Sequence, residues 1–252
     1  MRVCGNRAKL SATPGGTVAA PAARPPGRRR IPPEVVRVHE AALQPLVARA
    51  RRLTDGRRRR LLGITGAPGA GKSTVAEAVV AALAPDAALV PMDGFHLAQA
   101  ELRRLGRLER KGAVDTFDAA GYVALLRRLR HPDDQTVYAP CFDRRLEEPV
   151  AGAVPVDPRV PLVVTEGNYL LTRVGAWAQV AELLDEVWYL QLDEEVRLAR
   201  LAARHVAYGR PPDEAAARAR GVDQRNAELI ARTRDLADLV VELVPADAPG
   251  RS

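Results

Sequence analysis

The sequence predicts an α/β domain: a parallel sheet of five strands flanked by helices, with a helical lid and a small β excursion. Three observations support this. Short apolar runs alternate with longer segments of helical periodicity from residue 60 to residue 243, the pattern of strands joined by crossover helices. Residues 61–74, LLGITGAPGAGKST, set a glycine-rich turn between an apolar run and the apolar-rich stretch VAEAVVAAL. Asp93 and Glu166 each close a further apolar run just before a glycine, and open α/β sheets bind ligands at the carboxyl ends of their strands.

The elements follow in order. Residues 1–31 contain Pro14-Gly15-Gly16, Pro25-Pro26-Gly27 and Arg28-Arg29-Arg30, with little apolar content; such a segment cannot support a core and is expected to be disordered and basic. A single domain is expected over 32–245, with 246–252 as a tail. From Pro32 the pattern reads as a helix with Val36, Leu43, Leu46 and Val47 near one face and a kink at Pro45. The first strand is expected at 60–65 and the helix after the glycine-rich turn at 72–83. A short strand over 88–92 ends at Asp93-Gly94, and a polar, arginine-rich stretch covers 97–112. Asp118 is a suitable N-cap for a helix to Leu129. Pro140, Pro149 and Pro155 punctuate the β excursion over 135–156, and 162–165 is a buried-type strand ending at Glu166. A helix over 174–183, a strand over 186–192, a helix over 194–207, a helical pair across 212–234 and a strand over 238–243 complete the chain.

Within the glycine-rich turn, Gly66-Ala67-Pro68-Gly69-Ala70-Gly71-Lys72-Ser73 fits G-x-x-x-x-G-K-[ST] at every constrained position, and Thr74 follows. Strand before and helix after are the context that this P-loop requires. Its backbone N–H groups can turn inward around a phosphate, and the helix N-terminus adds partial positive charge. The motif therefore predicts a P-loop NTPase fold that binds a nucleoside triphosphate, with Lys72 on the β- and γ-phosphates and the Ser73 hydroxyl on Mg²⁺. Glu166 stands where a second, acidic magnesium contact usually lies, and Asp93 offers a carboxylate at a turn facing the phosphates. Either could instead simply cap its turn. Arg197, Arg200 and Arg204 share one face of their expected helix, which suits lid arginines or a solvated basic face. Trp177 and Trp188 read as core.

Composition excludes other classes. Fifteen of the 38 lysines and arginines, but only three of the 31 acids, lie in residues 1–60, so the net charge of +7 belongs to the N-terminal segment. Without aromatic interleaving or a nucleic-acid motif, this charge argues for no nucleic-acid partner. No run of about 18 apolar residues exists, so a soluble cytoplasmic protein with no membrane partner is expected. Cys4 and Cys141 are expected to be free thiols, and no Cys/His cluster has zinc-ligand spacing.

Together with the P-loop, the segments PMDGFH, RKGAVDTFD, YAPCFDRRLEEPV and TEGNYLL give the chain a specific likeness over roughly residues 34–245. It resembles the phosphoribulokinase/uridine kinase family of P-loop kinases, near its nucleoside kinase-like, fructose-transport kinase-like and pantothenate kinase branches. The resemblance implies transfer of the ATP γ-phosphate to a small-molecule alcohol, with Asp93 as general base. It implies an acceptor pocket from Asp93, His96, Arg110, Lys111, Asp115 and Phe117, closed by Tyr138, Phe142, Asp143 and Arg144. Glu166 and Asn168, from Glu166-Gly167-Asn168, would contact metal or acceptor, and the lid would supply Arg197, Arg200, Arg204 or Arg210, with Arg200 and Arg204 the leading candidates. The Asp-Gly-Phe-His turn is closer to pantothenate kinase than to uridine kinases, while 135–156 departs from pantothenate kinase; a nucleoside-, pantothenate- or sugar-like acceptor stays open. A homodimer is compatible with the resemblance. The competing class is a regulatory P-loop NTPase without an acceptor, although no N-K-x-D or L-S-G-G-Q-like motif is present.

Overall fold

The computed structural model describes residues 32–56 and 58–245; the expected basic segment 1–31 and the tail 246–252 lie outside the described residues. The chain opens with β1 (Glu34–His39) and α1 (Gln44–Arg51), then runs through β2 (Arg60–Gly66), α2 (Lys72–Leu83), β3 (Ala87–Pro91), α3 (Gln99–Arg104) and α4 (Ala119–Arg130). A hairpin of β4 (Val137–Asp143) and β5 (Glu148–Val156) precedes β6 (Leu162–Glu166), α5 (Val180–Leu183) and β7 (Glu186–Gln191). Three helices, α6 (Glu194–Ala207), α7 (Pro212–Arg220) and α8 (Val222–Ala231), lead to β8 (Leu239–Val244). The central sheet is parallel with strand order β1-β8-β7-β2-β6-β3, and the antiparallel hairpin stands apart from it.

One expected element is corrected. Residues 34–39 are a sixth strand of the sheet rather than the start of a helix. Val36 and Val38 turn inward while Val35 and Arg37 face out, which is strand periodicity, and their β-branched side chains favour it. The partner that stabilises this edge is β8, paired from Glu34↔Leu239 to His39↔Val244. That pairing is remote in sequence and invisible to a local pattern. Pro45 accordingly kinks nothing: it occupies the first turn of α1, where its missing N–H has no intrahelical partner to lose. The stretch 97–112 gains a short helix, α3, and the predicted helix over 174–183 is a 3₁₀ turn (Gly175–Gln179) followed by α5.

The core lies on both faces of the sheet because successive strand residues point oppositely. Leu61 and Val163 pack against α4 residues Tyr122, Leu126 and Leu129, and against Trp177, on one face. Leu62, Ile64, Val164 and Trp188 pack against Val75 and Val79 of α2 on the other. Both tryptophans are core, as expected. Beside the strand ends, the buried Thr165 hydroxyl donates to the Val90 carbonyl at 2.6 Å and meets the Tyr122 hydroxyl at 2.7 Å. This tie holds β6 against β3, so that Glu166 and the turn after Pro91 end side by side.

Candidate active site

The P-loop spans the junction from β2 to α2. Gly71 caps α2 in the left-handed conformation, with φ of 86°, which a side chain would strain. Lys72 is buried, and its ammonium donates to the Gly66 carbonyl at 3.0 Å and the Ala67 carbonyl at 3.1 Å. Burial pushes its pKa down to about 8, against the opposing pull of Glu166 and Asp93. The Ser73 hydroxyl donates to Glu166 Oε1 at 3.2 Å. Glu166 is itself buried at the end of β6; burial and then the Asp93 charge push its pKa up to about 7, while Lys72 and Ser73 pull it back. A buried carboxylate touching the loop hydroxyl is a hard-oxygen pair of the kind Mg²⁺ takes.

Asp93 sits in the tight turn Met92–Phe95 that follows β3. A Cβ at Gly94 would stand 2.3 Å from the Pro140 carbonyl oxygen, so β4 crosses the turn as closely as a bare backbone allows. The crossing carries Arg144 to Asp93, with Nη2 3.6 Å from Oδ2. His96 donates through Nδ1 to the Asp93 carbonyl at 2.8 Å, the acceptor fixing the proton on that nitrogen. Its ring lies between Phe117 and Phe142, at centroid distances of 4.0 and 4.8 Å, and burial holds its pKa below the usual imidazole value. His96 thus ties the turn to the hairpin.

These groups converge on a cavity of about 440 Å³ lined by Gly69, Gly71, Lys72, Ser73, Thr74, Asp93, Arg144, Glu166, Arg200 and Arg204, with Glu77, Leu89, Pro91, Cys141 and Phe142. Gly66 ends β2 and is buried. Ala67 and Ala70 face a second, larger cavity of about 900 Å³, walled also by Tyr189, Leu192, Leu243, Val244 and Pro245. The Pro68 carbonyl accepts from the buried Arg197 at 3.2 Å.

Several expected site residues are placed elsewhere. Arg110 pairs with Asp115 at the surface. Lys111 packs over the Phe142 ring at 4.7 Å and donates to the Glu147 carbonyl at 2.5 Å, so it clasps the hairpin. Phe117 is buried among Tyr169, Trp177 and His96. Tyr138 is 60% exposed on the hairpin, and the Asn168 carbonyl accepts from Thr65; none of these five lines the 440 Å³ cavity. Asp143 caps its own turn through the Arg145 and Leu146 amides. Arg210 is exposed. Of the lid arginines, Arg197 is taken up by Pro68 and Gln224, whereas Arg200, paired with Glu40, and Arg204 both line the cavity. Glu77 and Cys141 were not anticipated; Glu77, one turn after Ser73 on α2, was discoverable from helical spacing.

A model of the phosphoribulokinase/uridine kinase family matches residues 61–248. The chain belongs to this family. Among its relatives is a Schizosaccharomyces pombe protein that carries the provisional name of uridine kinase, 33% identical over 208 residues, which are 78% of this chain and 88% of that one. An Aspergillus versicolor ATP-dependent kinase-like protein is 38% identical over 152 residues, 57% of this chain and 88% of its own. The crystal structure of a Silicibacter protein provisionally named a fructose transport system kinase superposes with a TM-score of 0.72 at 38% identity, covering 79% of this chain and 98% of that one. The chain is thus a kinase-type P-loop protein of the phosphoribulokinase/uridine kinase family, a family that uses nucleotide. Its matched span begins at β2, so β1 and α1 precede it. Among the described residues, no helix is long and apolar enough to cross a membrane.

Proposed function

We propose that the chain transfers the γ-phosphoryl group of ATP to a hydroxyl of a small polar molecule, nucleoside-, pantothenate- or sugar-like, with Asp93 as general base. The observation that carries this reading is the convergence of Lys72, Ser73, Glu166, Asp93 and Arg204 on one cavity from separate strand ends and the lid. A hydrolytic or regulatory NTPase needs the phosphate loop, but it has no use for an acceptor-side carboxylate beneath a hairpin.

The P-loop divides the two cavities, so the triphosphate would lie across it. Ala67 and Ala70 would face the nucleoside part, and Lys72 the terminal phosphates. Ser73 and Glu166 would hold Mg²⁺, which when bound supplies positive charge to the phosphate oxygens. Asp93 orients the acceptor hydroxyl and takes its proton as the oxygen bonds to the γ-phosphorus; the bond to the bridging oxygen breaks and ADP leaves. Phosphoryl transfer asks for positioning and cations more than for covalent help, and Lys72, Arg200 and Arg204 supply the cations. Leu89, Pro91 and Phe142 give the acceptor an apolar wall, and Arg144 with Glu77 a polar one.

The test is ADP release with Mg²⁺-ATP, alone and with nucleosides, pantothenate, and free and phosphorylated sugars. Acceptor-dependent release that disappears in Asp93→Asn is expected. A slow rate indifferent to every acceptor and to Asp93→Asn would sink the assignment in favour of a regulatory NTPase.

A further inference from the structure

Glu40 lies one residue past β1, before the span matched by the family. Its backbone N–H donates to the Val244 carbonyl at 3.0 Å, which carries the β1–β8 ladder one residue further and fixes the side chain's origin at the carboxyl edge of the sheet. The carboxylate accepts from both terminal nitrogens of Arg200, at 2.5 and 2.7 Å. It also borders the P-loop: a Cβ at Gly71 would stand 3.7 Å from Glu40 Oε1. Arg200, on α6, lines the phosphate cavity.

We infer that Glu40 is a positioning residue that holds the Arg200 guanidinium toward the phosphoryl group carried on the P-loop. This rests on the phosphotransferase reading above. A long arginine side chain on a lid helix carries large rotamer freedom, and a two-point carboxylate partner restricts it while fixing the plane of the fork. The same pair neutralises an acid that would otherwise stand beside bound phosphate. Glu40 touches neither substrate nor reacting atoms; it acts through Arg200. A strand at the sheet edge thereby contributes to the active site through the lid.

The test uses the full chain as Glu40→Ala, Glu40→Gln, Arg200→Ala and the Glu40→Ala/Arg200→Ala double variant. The readouts are kcat with the best acceptor, affinities for a non-hydrolysable ATP analogue and for ADP, and the Tm of each variant. Glu40→Ala should lose up to about 10²-fold in kcat, the scale of a misplaced group, and Arg200→Ala about 10³-fold or more. The double variant should be no slower than Arg200→Ala, and Glu40→Gln should recover part of the loss. Discrimination between the ATP analogue and ADP should fall about threefold in Glu40→Ala, with ADP affinity kept, because only the ATP analogue presents a γ-phosphate. Losses that multiply in the double variant would overturn the proposal. So would wild-type kcat and wild-type ATP/ADP discrimination in Glu40→Ala, and a lowered Tm beside them would mark the pair as a structural clasp. If the wild-type chain turns over no acceptor, the phosphotransferase reading fails by itself, and the nucleotide discrimination still decides whether Glu40 acts through Arg200.

Discussion

Glu166→Gln should make the nucleotide-free protein more stable as it disables it. Glu166 is only 7% exposed, and burial with the neighbouring Asp93 charge raises its pKa from 4.5 to about 7. Between those values the folded chain keeps a proton that the unfolded chain has released. Folding of the wild type therefore weakens as pH rises through that window, and the penalty levels off above about 7. At ~1.4 kcal/mol per tenfold change in proton affinity, the window corresponds to about 3 kcal/mol. Glutamine keeps the shape and carries no charge to desolvate. Urea denaturation followed by the fluorescence of the buried Trp177 and Trp188, without Mg²⁺ or nucleotide, should show the variant near wild type at pH 4.5. It should gain up to about 3 kcal/mol over wild type by pH 7.5. With Mg²⁺-ATP the order should reverse, since ligand binding stabilises only the form that binds. Parallel stability curves for the two proteins from pH 4.5 to 7.5 would refute the placement of Glu166 as a desolvated carboxylate.

Three further outcomes follow from the geometry. Asp93→Asn should cut kcat by ~10²-fold or more while leaving ATP-analogue affinity near wild type; steady-state kinetics with a parallel binding titration separates the two. Arg204→Ala should cost at least ~10²-fold in kcat, whereas Arg110→Ala, which removes a surface partner of Asp115, should leave kcat within about twofold of wild type; equal losses would mean that the cavity has been drawn in the wrong place. Gly94→Ala should destabilise the fold by about 1–3 kcal/mol, because its methyl would press on the Pro140 carbonyl at 2.3 Å; an unchanged urea midpoint would show that the hairpin sits further from the turn.

The sheet was legible wherever strand and crossover helix adjoin in the chain. α2 and α6 begin and end where the glycine-rich turn and apolar spacing place them, since those signals are local. β1 was not legible for the opposite reason. Val36 and Val38 satisfy a strand's alternation over six residues, while Val36, Leu43 and Leu46 also satisfy a helical stripe over a longer window. The choice between them is made by β8, whose ladder to β1 crosses some two hundred residues. Short apolar segments are ambiguous between the two periods, and pairing at a sheet edge decides.

The candidate site divides along the same line. Lys72, Ser73, Asp93 and Glu166 converge because each ends a strand or stands on the turn that follows one, and the carboxyl ends of a parallel sheet's strands share one edge. Arginines have no such constraint. In sequence Arg110, Arg144, Arg197, Arg200 and Arg204 are equivalent basic residues near family motifs, and their fates depend on which acid or carbonyl the fold delivers to them. Arg110 meets Asp115, Arg144 meets Asp93, Arg197 meets the Pro68 carbonyl and Arg200 meets Glu40. The partner of Arg200 comes from the strand that local pattern could not find. Misreading 34–39 as helix therefore hid more than one element: it hid the carboxylate that pairs with Arg200. On the phosphotransferase reading, in which the chemistry consists of placing cations, the acids that restrain those cations belong to the site as much as the cations do.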